Sequence, residues 1–396
     1  MKIGKLFLAG VVALGLGLTA CNNETPEVET GADATVSIKI TKTTAGTRVA
    51  TDAYTNVSER TVAESNIKKL DVFVFNGDAV DGHGTASGTN VLEVKDIAVT
   101  TGSRTLVVVA NATSDMGTIT SKAALLAKVA TDLSAQTLDN GLLMTSQETA
   151  AFTIAAGKNY YGYTAGQTPA GTEHSIGAPV KLTRVPARVA LVRAKAAFEG
   201  SYAGFTFEPE QVFLFNAKKQ SKYFGTSLAT GAELLSGVDL TPFNGTLKPA
   251  TWDAAWTATY LQDAVTDLTT ITTDKPVYYY TFENDATVQP TVLSIKGKIK
   301  KADSNYATAA DFPGAIDAAG YTYYSIIVNA TKGGYTYTGA DVTHDGTIIR
   351  NTQYNLTVTI KHLGKDDPTD PPTEAAMLDV LVEVVPWVVV NQAVEY

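Results

Sequence analysis

The chain has 396 residues, 44% hydrophobic and 18% charged, which is enough for two or three packed domains and too apolar for a disordered segment. Lys and Arg number 31 against 40 Asp and Glu, a net charge of −9, so the basic stripe of a nucleic-acid binder is missing. One Cys and four His (His83, His174, His344 and His362), without ligand-pair spacing among them, rule out a disulfide framework and a Cys-based zinc site, so no metal and no cofactor is expected.

In chain order, the first segment reads as an export signal. Lys2 and Lys5 precede an apolar stretch over residues 6–18, too short to span a membrane as a helix. It ends in Leu18-Thr19-Ala20-Cys21, the pattern of a bacterial lipobox, in which Cys21 becomes the lipidated first residue after processing. Asn22 follows rather than Asp, which directs the expectation to the outer membrane. Residues 22–33 are polar and acidic and read as a tether.

The body is rich in Thr, Val, Tyr and Phe with many short alternating runs, the pattern of half-buried strands. Val36, Ile38 and Ile40 alternate with polar residues in a first strand over 35–41. Residues 70–75 and 105–110 are apolar enough to predict central strands. Residues 121–133 predict a helix, capped by Ser121, with Leu125, Leu126, Val129 and Leu133 on one face. A faint repeat relates residues 72–76 to 212–216 and residues 160–164 to 276–281, suggesting two related sandwiches that meet near residues 177–181. In the second copy the leading alternating strand is 188–195.

Residues 364–373 carry Pro and charge that exclude regular structure, and predict a mobile linker. Beyond it, Leu378, Val380, Val382 and Val384 share a face, and a second run from Trp387 reaches Tyr396. Termini are ordinarily polar and frayed, so this last strand lacks an evident partner.

Chemistry-bearing motifs are few. Gly82, Gly84 and Gly88 form a G-x-G-x-x-x-G run, but no helix opens behind it, so a hairpin loop fits better than a phosphate cradle. His344-Asp345-Gly346 reads as a turn. Tyr160, Tyr161 and Tyr163, and Tyr278 to Tyr280, suit a core or sheet surface better than a sugar platform. Arg48 lies in a small, polar segment open to proteolysis, and only seven of the 31 basic residues are Arg.

Several segments together carry a family resemblance: residues 104–111, 156–160, 184–188, 217–221 with Phe224-Gly225, Phe243-Asn244-Gly245, and 387–392. Over essentially its whole length the chain resembles the FimA-type major fimbrial subunits (fimbrillins) of the type V pili of Bacteroidales. The resemblance implies an all-β fold of two transthyretin-like β-sandwich domains with a few short helices, and no enzymatic activity. It implies a lipoprotein precursor cut outside the cell by an Arg-specific surface protease. Arg48, with Val49 following, matches the cleavage position; Arg60 is the alternative.

The expected divisions are a signal peptide over 1–20, a lipidated propeptide carrying the first strand over 21–48, an N-terminal sandwich over 49–178, and a C-terminal sandwich over 179–396 with donor strands at 375–396. Cutting would release the first strand and open a groove. A neighbour's C-terminal strand would fill it, with Trp387, Val388, Val389, Val390 and Val394 as donor residues. Such a head-to-tail contact builds a filament. The implied partners are copies of the chain, accessory, tip and anchor subunits, and the protease. The competing reading is a monomeric lipid-anchored protein that binds a glycan or a host protein.

Overall fold

A computed structural model describes residues 33–41, 63–112, 116, 118–163, 174–225, 234–235, 261–286, 289–331, 335–339, 342–370 and 378–386. Its strands, numbered in chain order, form two sandwiches. In the first, one sheet holds β1 (Ala34–Thr41), β4 (Glu93–Val99), β9 (Gly157–Tyr161), β10 (His174–Ile176) and β11 (Val180–Lys181). The other holds β2 (Lys69–Asn76), β3 (Ala79–Ser87), β5 (Gly102–Ala110), β7 (Met144–Thr145), β8 (Phe152–Ile154) and β12 (Thr183–Arg184). Their shared core joins Val36, Ile38 and Ile40 of the first sheet to Leu70, Val72, Val74, Leu106 and Val108 of the second.

The second sandwich packs β13 (Ala187–Ala196), β19 (Val277–Thr281), β22 (Tyr335–Gly339), β23 (Thr352–Ile360) and β24 (Leu378–Pro386) on β14 (Thr206–Phe215), β18 (Gln262–Ala264), β20 (Val292–Lys300) and β21 (Thr322–Ile327). The chain crosses between sandwiches after Arg184, a few residues past the expected boundary at 178/179.

The two sandwiches share apolar contacts. On β2 and β5 alternate residues face opposite ways: Phe73, Phe75, Val107 and Val109 turn from the first core into a cluster continuous with that of the second sandwich. Burial on both faces is why residues 70–75 and 105–110 are apolar but for Asp71 and Thr105. A short antiparallel pair, β6 (Val129–Ala130) with β16 (Ser221–Lys222), ties the sandwiches together, and β15 (Ala217–Lys218) pairs with β17 (Leu234–Leu235). Thr145 Oγ1 adds a hydrogen bond to the Tyr223 carbonyl at 3.0 Å.

Four expectations are corrected. The helix is only α1 (Lys122–Leu126); Ser121 caps it through the Ala124 N–H as expected, but the chain then leaves it to form β6. Strand pairing across the sandwiches overrides the helical pattern, and Leu126 is left 37% exposed. Gly82 and Gly84 are not in a hairpin loop but inside β3, whose turn from β2 carries Gly77 instead. They are glycines because β4 presses against them: a Cβ on Gly84 would lie 2.6 Å from Ile97 Cγ1.

The repeat pairs the wrong tyrosine strands. β1 lies between antiparallel β4 and parallel β9, and β13 lies between antiparallel β19 and parallel β23. The equivalent of β9 is therefore β23 with Tyr354, not β19. Finally, residues 364–370 are docked rather than loose. Lys365 exchanges backbone hydrogen bonds with Tyr323 at 2.8 and 3.0 Å, Thr369 is buried, and Gly364 leaves room for the Tyr323 carbonyl. This segment covers the free edge of β21.

Candidate functional site

The site that the first strand occupies is a slot in the middle of a sheet. Residues Ala34, Thr35, Val36 and Ile38 each pair with β4 on one side and β9 on the other. Alternation sends Val36 and Ile38, both 0% exposed, and Ile40 into the core. The β4 side carries an irregularity between Val36 and Ile38, where Asp96 takes a positive φ of 50°. There the Asp96 N–H turns from the ladder to Ser37 Oγ at 3.1 Å.

Side chains fasten both ends. Asp33 accepts from the Thr101 N–H at 2.7 Å and from Thr101 Oγ1 at 2.8 Å. Those hydrogen bonds hold its carboxyl below the ordinary value. Asn159 Nδ2 donates to the Thr35 carbonyl at 3.2 Å. At the other end the Ile40 N–H donates to the Leu92 carbonyl at 3.0 Å, and β11 pairs in parallel with Ile40 and Thr41. The Lys39 ammonium lies 5.4 Å from the centroid of Tyr163, whose hydroxyl donates to Glu93 at 3.1 Å. Burial raises the Tyr163 pKa, and Glu93 adds to the effect. Burial alone would raise Glu93 too, but hydrogen bonds from Lys95 and Tyr163 outweigh it and keep the carboxylate ionised. Gly162, at φ +80°, sits where any Cβ would run into the Lys39 carbonyl oxygen.

The second half of the candidate site is the C-terminal region. β24 runs antiparallel to β23 and parallel to β22, and buries Leu378, Val380 and Val382. The first part of the stretch expected to supply donor strands is thus paired within the chain's own sheet. Cys21, Arg48, Val49, Arg60, Trp387, Val388, Val389, Val390 and Val394 lie outside the described residues.

Tyr160, Tyr161, Tyr163, Tyr279 and Tyr280 are buried, which removes them as a sugar platform, and Asp345 closes a turn through the Thr347 N–H at 3.0 Å. Sequence reasoning missed a buried polar cluster where the sandwiches meet. Glu64 Oε1 accepts from Arg188 Nη1 at 2.8 Å and from the Tyr280 hydroxyl at 2.9 Å. Arg184 donates to the Glu64 carbonyl at 3.1 Å and to Ser65 Oγ at 2.8 Å. Burial pushes the Arg184 guanidinium down to about 10, partly offset by Glu64. Its only signal in the sequence was a pair of arginines within otherwise apolar strand starts.

Comparison with known proteins places this architecture. The model of the major fimbrial subunit protein (FimA) matches residues 34–184, and that of the FimA4 pilin C-terminal domain matches residues 186–387. The first begins at β1 and the second at the chain's crossing into the second sandwich. The chain is 33% identical to the major fimbrium subunit FimA type-3 of Porphyromonas gingivalis over 98% of each chain. The chain belongs to the FimA major fimbrial subunit family. It is also 35% identical to the type-5 subunit of that organism over 99% of each chain. A crystallised fimbrilin from Porphyromonas gingivalis W83 superposes with a TM-score of 0.70 at 29% identity, covering 91% of this chain and 99% of that one. The structural role of a fimbrial subunit, in a two-sandwich fold, follows from this membership.

Proposed function

We propose that this chain is a pilin that polymerises into a cell-surface fimbrium by protease-triggered donor-strand exchange, supporting adhesion. The observation that carries the reading is the position of β1. It is an interior strand that fills a core, yet it precedes the Arg48 segment and joins the rest of the first sandwich only through it. One cut after Arg48 severs the strand covalently without touching any other strand of the sandwich.

Loss of β1 would leave β4 and β9 with unpaired backbone groups and strip Val36, Ile38 and Ile40 from the core, at about 1.5–3 kcal/mol each. A strand of like alternation restores both by β-strand addition. β24 has the alternation but holds β22 and β23 together, so its departure would open a second wound. The run beyond it, with Trp387, Val388, Val389, Val390 and Val394, is the donor this reading assigns. Before cleavage the attached strand has a very high effective concentration and a neighbour cannot compete. In this reading the precursor is an outer-membrane lipoprotein anchored through Cys21, an Arg-specific surface protease cuts Arg48–Val49, and accessory, tip and anchor subunits complete the fibre.

The test uses Arg48→Ala and a deletion of residues 387–396, each mixed with protease-treated wild-type subunits and sized by light scattering. Arg48→Ala should fold and stay monomeric; the deletion should be cut, accept a donor, and fail to extend the chain. Wild-type polymerisation of Arg48→Ala would reassign the cut, with Arg60 next in line, and polymerisation of the deletion would move the donor elsewhere. Fatty-acid labelling that persists in Cys21→Ala would refute the anchor.

A further inference from the structure

A cleft of about 850 Å³ opens where the loop of residues 133–139 in the first sandwich approaches β18 and β19 in the second. β18 and β19 are the end strands of their two sheets, so the cleft lies along the open side of the second sandwich. Its volume is in the range of small-ligand sites, and junctions of this kind are where such sites concentrate.

Gln136 lines the cleft and is 4% exposed. Its Oε1 accepts from the Leu143 N–H at 3.0 Å, which fixes the orientation of the amide. The Nε2 that remains is buried and has no hydrogen-bond partner among the described residues. Buried amide donors are nearly always satisfied, so an orphan beside a cleft marks a place for an acceptor. Around it stand the exposed Thr137, Asp139 and Asp263, and the half-buried Tyr278. An amide, a hydroxyl, two carboxylates and a tyrosine side chain are the groups that bind sugar hydroxyls and pack on a sugar ring.

We propose that this cleft binds a short glycan, one with hydroxyls donating to Asp139 and Asp263 and an oxygen accepting from Gln136 Nε2. A peptide fits less well, because β18 offers three residues of edge and β19 five, in different sheets. The site is complete within one chain and does not depend on polymerisation. Repeated along a fibre it would convert weak single contacts into strong multivalent attachment.

The experiment applies the fluorescently labelled full chain to an array of defined oligosaccharides and measures each hit by calorimetric titration. The double variant Asp139→Ala/Asp263→Asn, which keeps an acceptor for the buried Tyr279 hydroxyl that Asp263 meets, should hold its melting temperature while weakening the hit at least tenfold. Gln136→Leu should weaken it further. A blank array overturns the proposal. So does a hit that the double variant binds as tightly as wild type, or a failure to bind sugars alongside capture of an extended peptide that the same variants weaken. Because the assay uses uncleaved monomer, a failure here leaves donor-strand exchange standing, and a failure of Arg48→Ala to block polymerisation leaves the glycan site standing.

Discussion

At the scale of single residues, the first strand is held by groups whose removal has calculable signs. Gly162 is required by both its φ of +80° and the Lys39 carbonyl in front of it. Gly162→Ala should lose about 1–3 kcal/mol in urea unfolding, with the loss confined to the end of β1 nearest Thr41 in hydrogen exchange. Asp33 has a carboxyl pKa lowered from 3.8 by its bonds to Thr101. A carboxylate with a depressed folded pKa contributes stability that is present above the unfolded value and lost as pH falls through the folded one. With no donor strand to replace it, the cleaved first strand should therefore dissociate more readily below about pH 4 than at neutral pH. In Asp33→Asn that acid dependence should vanish, read as propeptide release by size exclusion across a pH series. The core role of Val36, Ile38 and Ile40 was legible in their alternation. The need for glycine at 82, 84 and 162 was not, because it arises from segments remote in sequence that approach only after folding.

At the scale of elements, alternation located β1, β13 and β24, and apolar content located β2 and β5, which are buried on both faces. It failed where pairing partners decide the outcome. Val129 and Ala130 belong to a helical pattern but meet Ser221 and Lys222 and become strand. Residues 364–370 have linker composition but find an open sheet edge beside Tyr323. A consequence can be checked. Gly364→Val would push against the Tyr323 carbonyl and should lift this strap, raising protease sensitivity around residue 366 while the first sandwich stays intact. The candidate site was half legible: the first strand was, whereas its two-sided pairing and the intramolecular seat of β24 require the sheet order.

For the whole molecule, the deciding feature is that the sandwiches are joined by an apolar cluster, a two-stranded ribbon and the Glu64 cluster. Glu64→Ala leaves Arg188 and Arg184 buried without that carboxylate and should cost about 3–5 kcal/mol in chemical denaturation. The paired change Glu64→Met/Arg188→Met should recover part of the loss, since it removes the Glu64–Arg188 pair together but leaves Arg184 buried. If the single variant is neutral, the cluster is not a structural tie. The sequence could announce two sandwiches through strand motifs, but not their union, because Glu64 precedes Arg188 by more than a hundred residues and neither is marked by its local pattern.

The two-sided seat of β1 also has a mechanical meaning. Backbone hydrogen bonds to β4 run across the strand axis, and those to β9 are slanted but evenly spaced. Traction along that axis loads every bond of the seat together, in shear, whereas traction across it would peel them one at a time. Under the proposed donor-strand exchange, a donor lying in this slot would be pulled lengthwise. The joint between subunits would then resist shear while each subunit, with its sandwiches tied together, passes the load on as one body. Stretching single fibres should rupture them at high force without prior lengthening of the subunits, and Glu64→Ala should introduce an earlier, low-force extension.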